Sequence, residues 1–314
     1  MFISPYSNPA EYLTNILQVR GVEPQYRKQL LSVLCYFLAN QPHPRRGKKW
    51  LALPELCYAA AGGKGRCTTA VSTTWLFLWI AAHLMDAVED EESDHPLIEQ
   101  FGTGLVLNAA TGFYFAAGAM LYHLEEWGIE PSAANDVRAA FQERSLRMAG
   151  GQYLDLAPLE LDLAETLEVA ALKSGEFFAL ACYAGARLAT DSSEVLGHFL
   201  SFGRQLGVIK QIADDLEGLH EGGQRELERM GANIPIAYAL NHLPEEQRDW
   251  LLARLKAHLS GPSDLTTAVK MIEESGALIY CFLEIGKQKS VAEAELLSAC
   301  PDSPDRQKLL DLIQ

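Results

Sequence analysis

The chain has 314 residues, 48% of them hydrophobic, with 41 acidic and 26 basic side chains and a formal net charge of −15. This excess of negative charge argues against nucleic-acid binding, which depends on clustered Lys and Arg. The six cysteines form no CxxC pair, which indicates a reducing compartment and no zinc site. The beginning of the chain lacks the features of a signal peptide, and the most apolar run, 75–85, is far shorter than the roughly 20 residues that span a bilayer. We therefore expect a cytoplasmic protein without a membrane span.

Apolar residues recur at helical spacing along almost the whole chain, without the alternating pattern of a strand hairpin. The predicted helices are 11–39 with a break near 21–24, 51–61, 75–90, 104–124, 133–148, 163–189, 194–219, a helix from Pro235, 245–259 and 263–298. No repeat of solenoid period is found. The sequence therefore predicts one all-α domain over residues 1–314, with about ten or more helices.

Segment 41–50, QPHPRRGKKW, is a loop marked by Pro and Gly. It holds four basic residues within five positions, including Lys48 and Lys49. In so acidic a chain, this cluster suggests a site for an anion. The alternative is a solvated loop.

The apolar helix 75–90 ends in acidic residues. One stripe along it, at i, i+4, i+7 and i+11, is formed by Trp79, His83, Asp86 and Asp90. Like charges one turn apart repel, and a cation between Asp86 and Asp90 would reverse that effect. Because Mg²⁺ prefers oxygen ligands, the two residues are candidate magnesium ligands; the alternative is a solvated helix end. For His83 the sequence leaves open a base, a pyrophosphate ligand and a hydrogen-bonded core residue.

A second acidic pair lies in GVIKQIADDLEGL (207–219), where Asp214 and Asp215 follow Gln211 on one helix. Helical bundles build metal sites from carboxylates on facing helices, so the two pairs are expected to face each other across a cavity. Metal ions that bridge a diphosphate would balance its charge. Lys173, in ALKSGEFF, is expected to meet an anion because burying a lone ammonium is costly. The alternative is a lysine that reaches water.

Together these motifs resemble the trans-isoprenyl diphosphate synthase (polyprenyl synthetase) family of the class I isoprenoid synthase fold. The matching segments are MDAVED (85–90), NAATG (108–112), GQYLDL (151–156), KSG (173–175), GVIKQIADDLEGL (207–219) and GANIPIAYAL (231–240). The resemblance implies a helical bundle around a deep central cavity, a homodimer, and Mg²⁺ ions that bridge an allylic prenyl diphosphate to both acidic motifs. The implied metal ligands and catalytic residues are Asp86, Asp90, Asp214 and Asp215. The implied diphosphate ligands are Lys173, Gln211, Lys48 and Lys49.

The chain departs from the family pattern around the second substrate, isopentenyl diphosphate. Ala87 stands in the middle of the first acidic motif, where the family has Asp, and no Arg or Lys occurs from 91 to 101, where the family has arginines. Trp79 occupies the position of a His that binds isopentenyl diphosphate, and Leu53 that of an Arg. By resemblance, the second anion site is incomplete.

Trp79 is a candidate catalytic residue because an indole face stabilises a desolvated cation by roughly 2 kcal/mol. It would face the allylic carbocation after diphosphate loss, and the alternative is an ordinary core aromatic residue. Ala81 and Ala82 lie about one turn before Asp86. By resemblance, their small size allows a prenyl chain of fifteen to twenty carbons or longer.

The sequence leaves three functions open. The first interpretation is a Mg²⁺-dependent terpene synthase that ionises an allylic diphosphate without isopentenyl diphosphate. The alternative is a prenyltransferase, either a polyprenyl diphosphate synthase that extends with isopentenyl diphosphate or an enzyme of the peptide-prenylating ComQ-like branch. EDEESDHP (89–96) and LEIGKQK (283–289) carry the likeness to that branch. The third is a non-catalytic subunit of a heteromeric synthase.

Overall fold

The structure, a computed structural model, describes residues 9–19, 21–40, 51–65, 67–156, 162–220, 232–256 and 262–314. In this part of the chain the α-helices are α1 (Pro9–Val19), α2 (Pro24–Ala39), α3 (Leu53–Ala60), α4 (Thr69–Glu89), α5 (Pro96–Phe101), α6 (Thr103–Tyr122), α7 (Pro131–Leu156), α8 (Leu163–Ala170), α9 (Glu176–Arg187), α10 (Ser193–His220), α11 (Ile234–His242), α12 (Glu245–Lys256), α13 (Pro262–Glu274), α14 (Ala277–Ala299) and α15 (Pro304–Leu310). A 3₁₀ helix, Leu124–Trp127, follows α6, and a π-helical turn, Ala171–Gly175, joins α8 to α9. The predicted all-α class is confirmed.

The chain divides into two compact units. The first comprises Met1–Ala140, Ala181–Leu196 and Asp302–Leu312. The second comprises Phe141–Leu180, Gly197–Pro301 and Ile313–Gln314. The single domain predicted for residues 1–314 stays a prediction.

Polar residues before a proline mark the starts of several helices. The Asn233 side chain accepts the N–H of Ile236 before α11, and the Ser303 side chain accepts the N–H of Arg306 before α15. Both helices carry Pro in the first turn, where its missing N–H would have had no helical partner. The apolar pattern alone did not predict α15, because this helix is short and its start is set by a cap.

Glycine explains two differences between the predicted helices and the structure. The predicted helix 263–298 is two helices, α13 and α14, separated at Gly276, whose φ of 87° is left-handed. The predicted helix 133–148 continues to Leu156 across Gly151. A Cβ on Gly151 would lie 2.7 Å from the Cβ of Leu172, so glycine there permits close helix packing and does not end the helix.

In the first unit, α4 packs along α6. The buried rings of Phe77 and Phe113 lie 5.7 Å apart across this contact. The small residues of NAATG let α2 approach α6, because the Tyr26 hydroxyl donates to the Asn108 carbonyl at 2.8 Å and would overlap a Cβ on Gly112. The acidic end of α4 is therefore carried by a helix that is fixed along its length.

Two helices in the described part of the chain, α4 and α6, are long and apolar enough to cross a bilayer by length and composition alone. In the most apolar window of each helix, 61% of α4 and 44% of α6 is buried inside the protein. Core helices pass the same test, so this is weak evidence for a membrane span.

In the second unit, α10 is packed near the end that carries the second acidic pair. One apolar cluster joins α10 to α11 and α14 around Ile212 and Cys281. A second cluster joins α11 to α12 and α13 through Leu251 and Ile272. These clusters fix the helix that positions the second acidic pair.

Candidate active site

The stripe predicted on α4 is present. Its members are all at least partly accessible: Trp79, His83, Asp86 and Asp90. The intervening Ile80 and Leu84 are buried. The backbone N–H of Asp90 donates to the Asp86 carbonyl at 2.8 Å, so the two acids stand one turn apart at the end of the helix. Ala87 is only 3% exposed, so the position at which the family carries Asp lies in the core.

Aromatic rings surround the N-terminal part of this stripe. The Trp79 ring stacks on His83 at 5.7 Å between centroids and meets Phe37 of α2 edge-on at 5.3 Å. His95, the residue before α5, lies 6.1 Å from His83. These contacts are typical of a packed aromatic cluster, which favours the structural alternative for Trp79. Its catalytic role stays a prediction.

The environment of His83 favours its neutral form. Desolvation by the surrounding protein lowers the pKa of His83, the Asp86 carboxylate opposes this shift, and His95 adds to it. The residue still has an exposed surface. A lowered pKa makes the ring better suited to accept a proton or a hydrogen bond than to bind pyrophosphate as a cation.

In the second unit, Asp215 is a buried carboxylate held by two donors. It is 4% exposed. One oxygen accepts from the Gln211 side chain at 2.9 Å, and the other accepts from the backbone N–H of Ile234, the first residue of α11, at 2.9 Å. The Ser174 hydroxyl donates to the Gln211 side-chain oxygen at 2.7 Å. Gln211 is thus bonded at both ends of its amide and orients Asp215.

The neighbouring Asp214 has a different environment. Its side chain is 46% exposed and forms an ion pair with Lys210, one turn earlier on α10. Of the two acids, Asp214 therefore has the accessible oxygens, whereas Asp215 joins the end of α10 to the start of α11.

Lys173 meets an anion, as its place in an apolar helix predicted. The partner is Asp155, whose carboxylate pairs with the ammonium through one oxygen and accepts the backbone N–H of Ala232 through the other, at 2.6 Å. The Lys173 and Asp155 side chains are 17% and 8% exposed. Asp155 lies in the GQYLDL segment that carried the family resemblance, but its role was not predicted. It lies on α7 whereas Lys173 lies in the π-helical turn, so the pairing leaves no periodic signal in the sequence.

Lys173 and Ser174 belong to the π-helical turn Ala171–Gly175. Such turns are rare and occur often at functional sites. Gly207 of α10 packs directly on this turn, and a Cβ there would overlap the Ser174 carbonyl oxygen. The close approach places the residues of the turn beside Gln211, which lies one helical turn further along α10.

The carboxylates fit the requirements of Mg²⁺, which is usually bound by one or two carboxylates together with water and substrate phosphates. The side chain of Asp214 is exposed and that of Asp86 is partly exposed, whereas one carboxylate oxygen of Asp90 is buried. Each bonded oxygen of Asp215 keeps a further lone pair. Within the described residues, no group of three or more His, Cys, Asp or Glu could hold a metal by itself. Each pair would need substrate oxygens and water to complete its coordination. Lys48 and Lys49 lie outside the described residues.

A family model named Polyprenyl synthetase matches residues 81–272, more than half of the chain. The chain belongs to the polyprenyl synthetase family. The matched region contains both acidic pairs, Lys173 and its partner Asp155. The family and fold inferred from the ordered motifs are thereby confirmed, as is the enzyme class, a class I isoprenoid synthase.

Two proteins similar to this polyprenyl synthetase are named for different prenyl-transfer activities. The chain is 26% identical over 306 residues to a geranylgeranyl pyrophosphate synthase of Penicillium ochrochloron, covering 88% of this chain and 78% of that protein. It is also 26% identical over 248 residues to the tryptophan prenyltransferase ComQ of Bacillus subtilis, covering 77% of this chain and 80% of that protein. These relatives support the prenyltransferase interpretation better than the terpene-synthase interpretation.

Solved structures of polyprenyl synthetases share the fold. The geranylgeranyl pyrophosphate synthetase of Pyrococcus horikoshii superposes with a TM-score of 0.81 at 19% identity, over 97% of this chain and 93% of that chain. A geranylgeranyl pyrophosphate synthase of Corynebacterium glutamicum, complexed with isoprenyl diphosphate and magnesium, superposes with a TM-score of 0.77 at 19% identity, over 97% of this chain and 96% of that chain. At these identities the likeness establishes the fold, and the individual site residues stay predictions.

Proposed function

We propose that this polyprenyl synthetase is a Mg²⁺-dependent prenyltransferase that joins the prenyl group of an allylic diphosphate to an acceptor. One observation carries the proposal: the hydrogen bonds from Ser174 to Gln211 and from Gln211 to Asp215 adjoin the ion pair of Lys173 with Asp155. These residues come from three separate motifs of the family, and the two bonded groups meet where Lys173 and Ser174 adjoin in the π-helical turn.

In this reaction, the bond between the first prenyl carbon and the diphosphate oxygen breaks, and both electrons leave with the diphosphate. The allylic cation is then attacked by the π electrons of the acceptor, a carbon–carbon bond forms, and the acceptor loses a proton. Mg²⁺ bound by the carboxylates would supply positive charge that stabilises the departing diphosphate. The proposed ligands are Asp86, Asp90, Asp214 and Asp215.

The other polar residues hold charge and orientation in this proposal. The Lys173 ammonium has three donors and can bind a diphosphate oxygen while Asp155 fixes its position. Gln211 orients Asp215 through its amide. Lys48 and Lys49 are proposed diphosphate ligands on the grounds of sequence alone.

The aromatic cluster around Trp79 on α4 suggests which kind of acceptor the site accommodates. Trp79 stands where the family has a His, and its described neighbours Phe37 and His83 add no fixed positive charge. Aromatic surroundings of this kind suit an acceptor without a diphosphate, of the kind named for the tryptophan prenyltransferase ComQ. They also support a second candidate, a terpene synthase in which the cation is cyclised or quenched without an acceptor.

A homodimer and a cytoplasmic location are part of the proposal. The apolar side chains of α6 that reach the surface would form the subunit contact. They are Leu105, Leu107, Tyr114, Phe115 and Tyr122. The cytoplasmic location is supported by the six cysteines, which are free thiols.

The proposal is tested by incubating the purified chain with geranylgeranyl diphosphate and Mg²⁺ alone, with isopentenyl diphosphate, or with a tryptophan-containing peptide. A longer diphosphate or a prenylated peptide supports prenyl transfer and identifies the acceptor. Hydrocarbon or alcohol that forms in all three arms, with no acceptor product, overturns prenyl transfer in favour of the terpene synthase. The variant Asp214→Asn controls for activity that does not depend on the proposed metal ligands.

A further inference from the structure

The helix α14 carries an accessible face of large apolar side chains. Ile279, Phe282 and Leu283 are 67%, 65% and 70% exposed, and Leu297 near the other end of the helix is 51% exposed. Three large apolar side chains within five residues form a patch of the kind that commonly marks an interaction site. This face lies on a different helix from the apolar surface of α6.

Residues of like size or opposite charge flank Ser290 at equal distances along this face. Three accessible pairs flank that residue at distances of three, four and seven positions: Lys287 with Glu293, Gly286 with Ala294, and Leu283 with Leu297. Spacings of three, four and seven keep all of them on one side of the helix. A face with this symmetry is complementary to a second copy of itself in antiparallel orientation, as a twofold interface requires.

We propose that α14 is a self-association surface that packs antiparallel on α14 of a second copy of this chain. A twofold axis passes through Ser290. Leu283 of each copy packs on Leu297 of the partner subunit. The small residues at the centre allow the two backbones to approach, and Lys287 pairs with Glu293 of the partner subunit at both edges.

Gly286 supports this arrangement independently. Among the described residues, nothing lies within 4 Å of a Cβ built on Gly286, and its φ is not in the positive range. Glycine inside a helix is less stable than alanine, and no contact with the described part of the chain compensates for this loss. A second helix packed at the usual interaxial distance of about 8–10 Å does require a small residue there.

The charges select a second copy in the antiparallel orientation. The Lys287 ammonium donates to both carboxylate oxygens of Glu284, at 3.1 and 3.3 Å, and its third donor remains for Glu293 of the partner subunit. In a parallel pair, Lys287 would face the same lysine of the other copy. The Ser290 hydroxyl donates to the Gly286 carbonyl at 3.0 Å. Its hydrogen is therefore already bonded within its own helix when Ser290 lies on the axis of the contact.

The size of the contact sets its strength. A helix of 23 residues is about 35 Å long, and one helix pair of this length buries less than a standard interface. The α14 contact by itself therefore forms a weak dimer.

A cysteine on the proposed axis tests the geometry in the full chain. In a Cys35→Ser/Cys67→Ser background, Ser290→Cys is expected to form an interchain disulfide under mild oxidation. Ser298→Cys is the matched control, because in an antiparallel pair its two copies stand sixteen residues apart, about 24 Å. Absence of the interchain cross-link in the Ser290→Cys variant, or equal cross-linking in both variants, overturns the proposal and leaves the face to another protein or a lipid surface.

A charge exchange tests the same contact without cross-linking. In a Phe115→Asp background, which removes pairing through α6, Lys287→Glu is expected to raise the Kd of self-association at least tenfold by sedimentation. The double exchange Lys287→Glu/Glu293→Lys is expected to return the Kd of self-association to the value of the background protein. Gly286→Leu, which has open space in its own chain, is expected to abolish association while the thermal midpoint stays within about two degrees of the parent. A double exchange that fails to restore association contradicts the proposed pairing.

Discussion

The Lys173 ammonium is paired with the Asp155 carboxylate, and the other oxygen of the same carboxylate accepts the backbone N–H of Ala232. One acid near the end of α7 therefore fixes both the lysine of the π-helical turn and the chain that leads into α11. The position of a proposed diphosphate ligand thus depends on a residue outside both acidic motifs.

Replacing Asp155 with Ala is expected to destabilise the protein and reduce turnover. Removing one partner of a mostly buried ion pair leaves an uncompensated charge, which costs about 3–5 kcal/mol. Urea denaturation followed by circular dichroism measures the loss. The control is Asp249→Ala, which removes the exposed pair with Arg248 and should change the free energy of unfolding by less than about 1 kcal/mol. Equal effects of the two variants would contradict the role given to Asp155.

The two acids of the second motif are expected to separate activity from stability. Asp214→Asn removes an exposed ion pair, so the free energy of unfolding should change by less than about 1 kcal/mol. Turnover should still fall at least about a hundredfold if Asp214 binds the metal. Asp215→Asn places an amide N–H₂ beside either the Gln211 side chain or the Ile234 N–H, both of which are donors. It should lower both the free energy of unfolding and turnover. Full activity of Asp214→Asn would remove this residue from the metal site.

Close packing at the π-helical turn predicts opposite effects for two glycines of α10. Gly207→Ala places a methyl group on the Ser174 carbonyl and is expected to cost about 1–3 kcal/mol. Gly197→Ala meets nothing within 4 Å and should stabilise the same helix by about 0.5–1 kcal/mol. Thermal denaturation of the two variants checks the contrast. Similar changes in midpoint would show that the turn tolerates the added methyl group.

His83 is expected to make stability fall as the pH falls. Its folded-state pKa is lowered by desolvation, so the unfolded chain binds a proton first as the pH drops below about 6.5. The stability that His83 contributes is therefore present above about pH 6.5 and is lost as the pH falls towards the folded-state pKa. In His83→Gln, the free energy of unfolding should therefore decline less between about pH 7.5 and about pH 5 than in the parent. Parallel pH profiles would show that His83 is not desolvated.

Trp79 is expected to affect turnover if its indole faces the allylic cation. Trp79→Leu would then lower kcat by about 2–30-fold, the range of a cation–π contact, whereas Trp79→Phe keeps a ring and should lose less. Steady-state kinetics with an allylic diphosphate measures both variants. Unchanged kcat, together with a lower thermal midpoint, would assign Trp79 to the packing of Phe37 and His83.

The stripe on α4 and the presence of an anion beside Lys173 could be predicted from the sequence, because both follow from helical periodicity and charge. The stripe needs only the spacing of Trp79, His83, Asp86 and Asp90 on one helix. The anion beside Lys173 was predicted from the cost of burying a charge, but its identity was not. Asp155 lies on another helix, and a pairing between helices leaves no periodic pattern in one sequence.

The different environments of Asp214 and Asp215 were not predicted, although helical spacing places Asp215 on the buried side of α10 with Ile212 and Leu219. The hydrogen-bond partner of Asp215, the Ile234 N–H, lies on another helix and could not be predicted from that spacing. Similarly, the division of the predicted helix 263–298 depends on the left-handed φ of Gly276. Glycine permits that conformation without requiring it.

The burial of Ala87 limits what one substitution can achieve in the first acidic motif. The position is 3% exposed, and a carboxylate introduced there would be driven towards its protonated form by desolvation. The substitution Ala87→Asp would therefore lower stability before it could supply a metal ligand. A third acid in this motif requires additional changes in the packing around position 87, so it cannot be installed by one substitution alone.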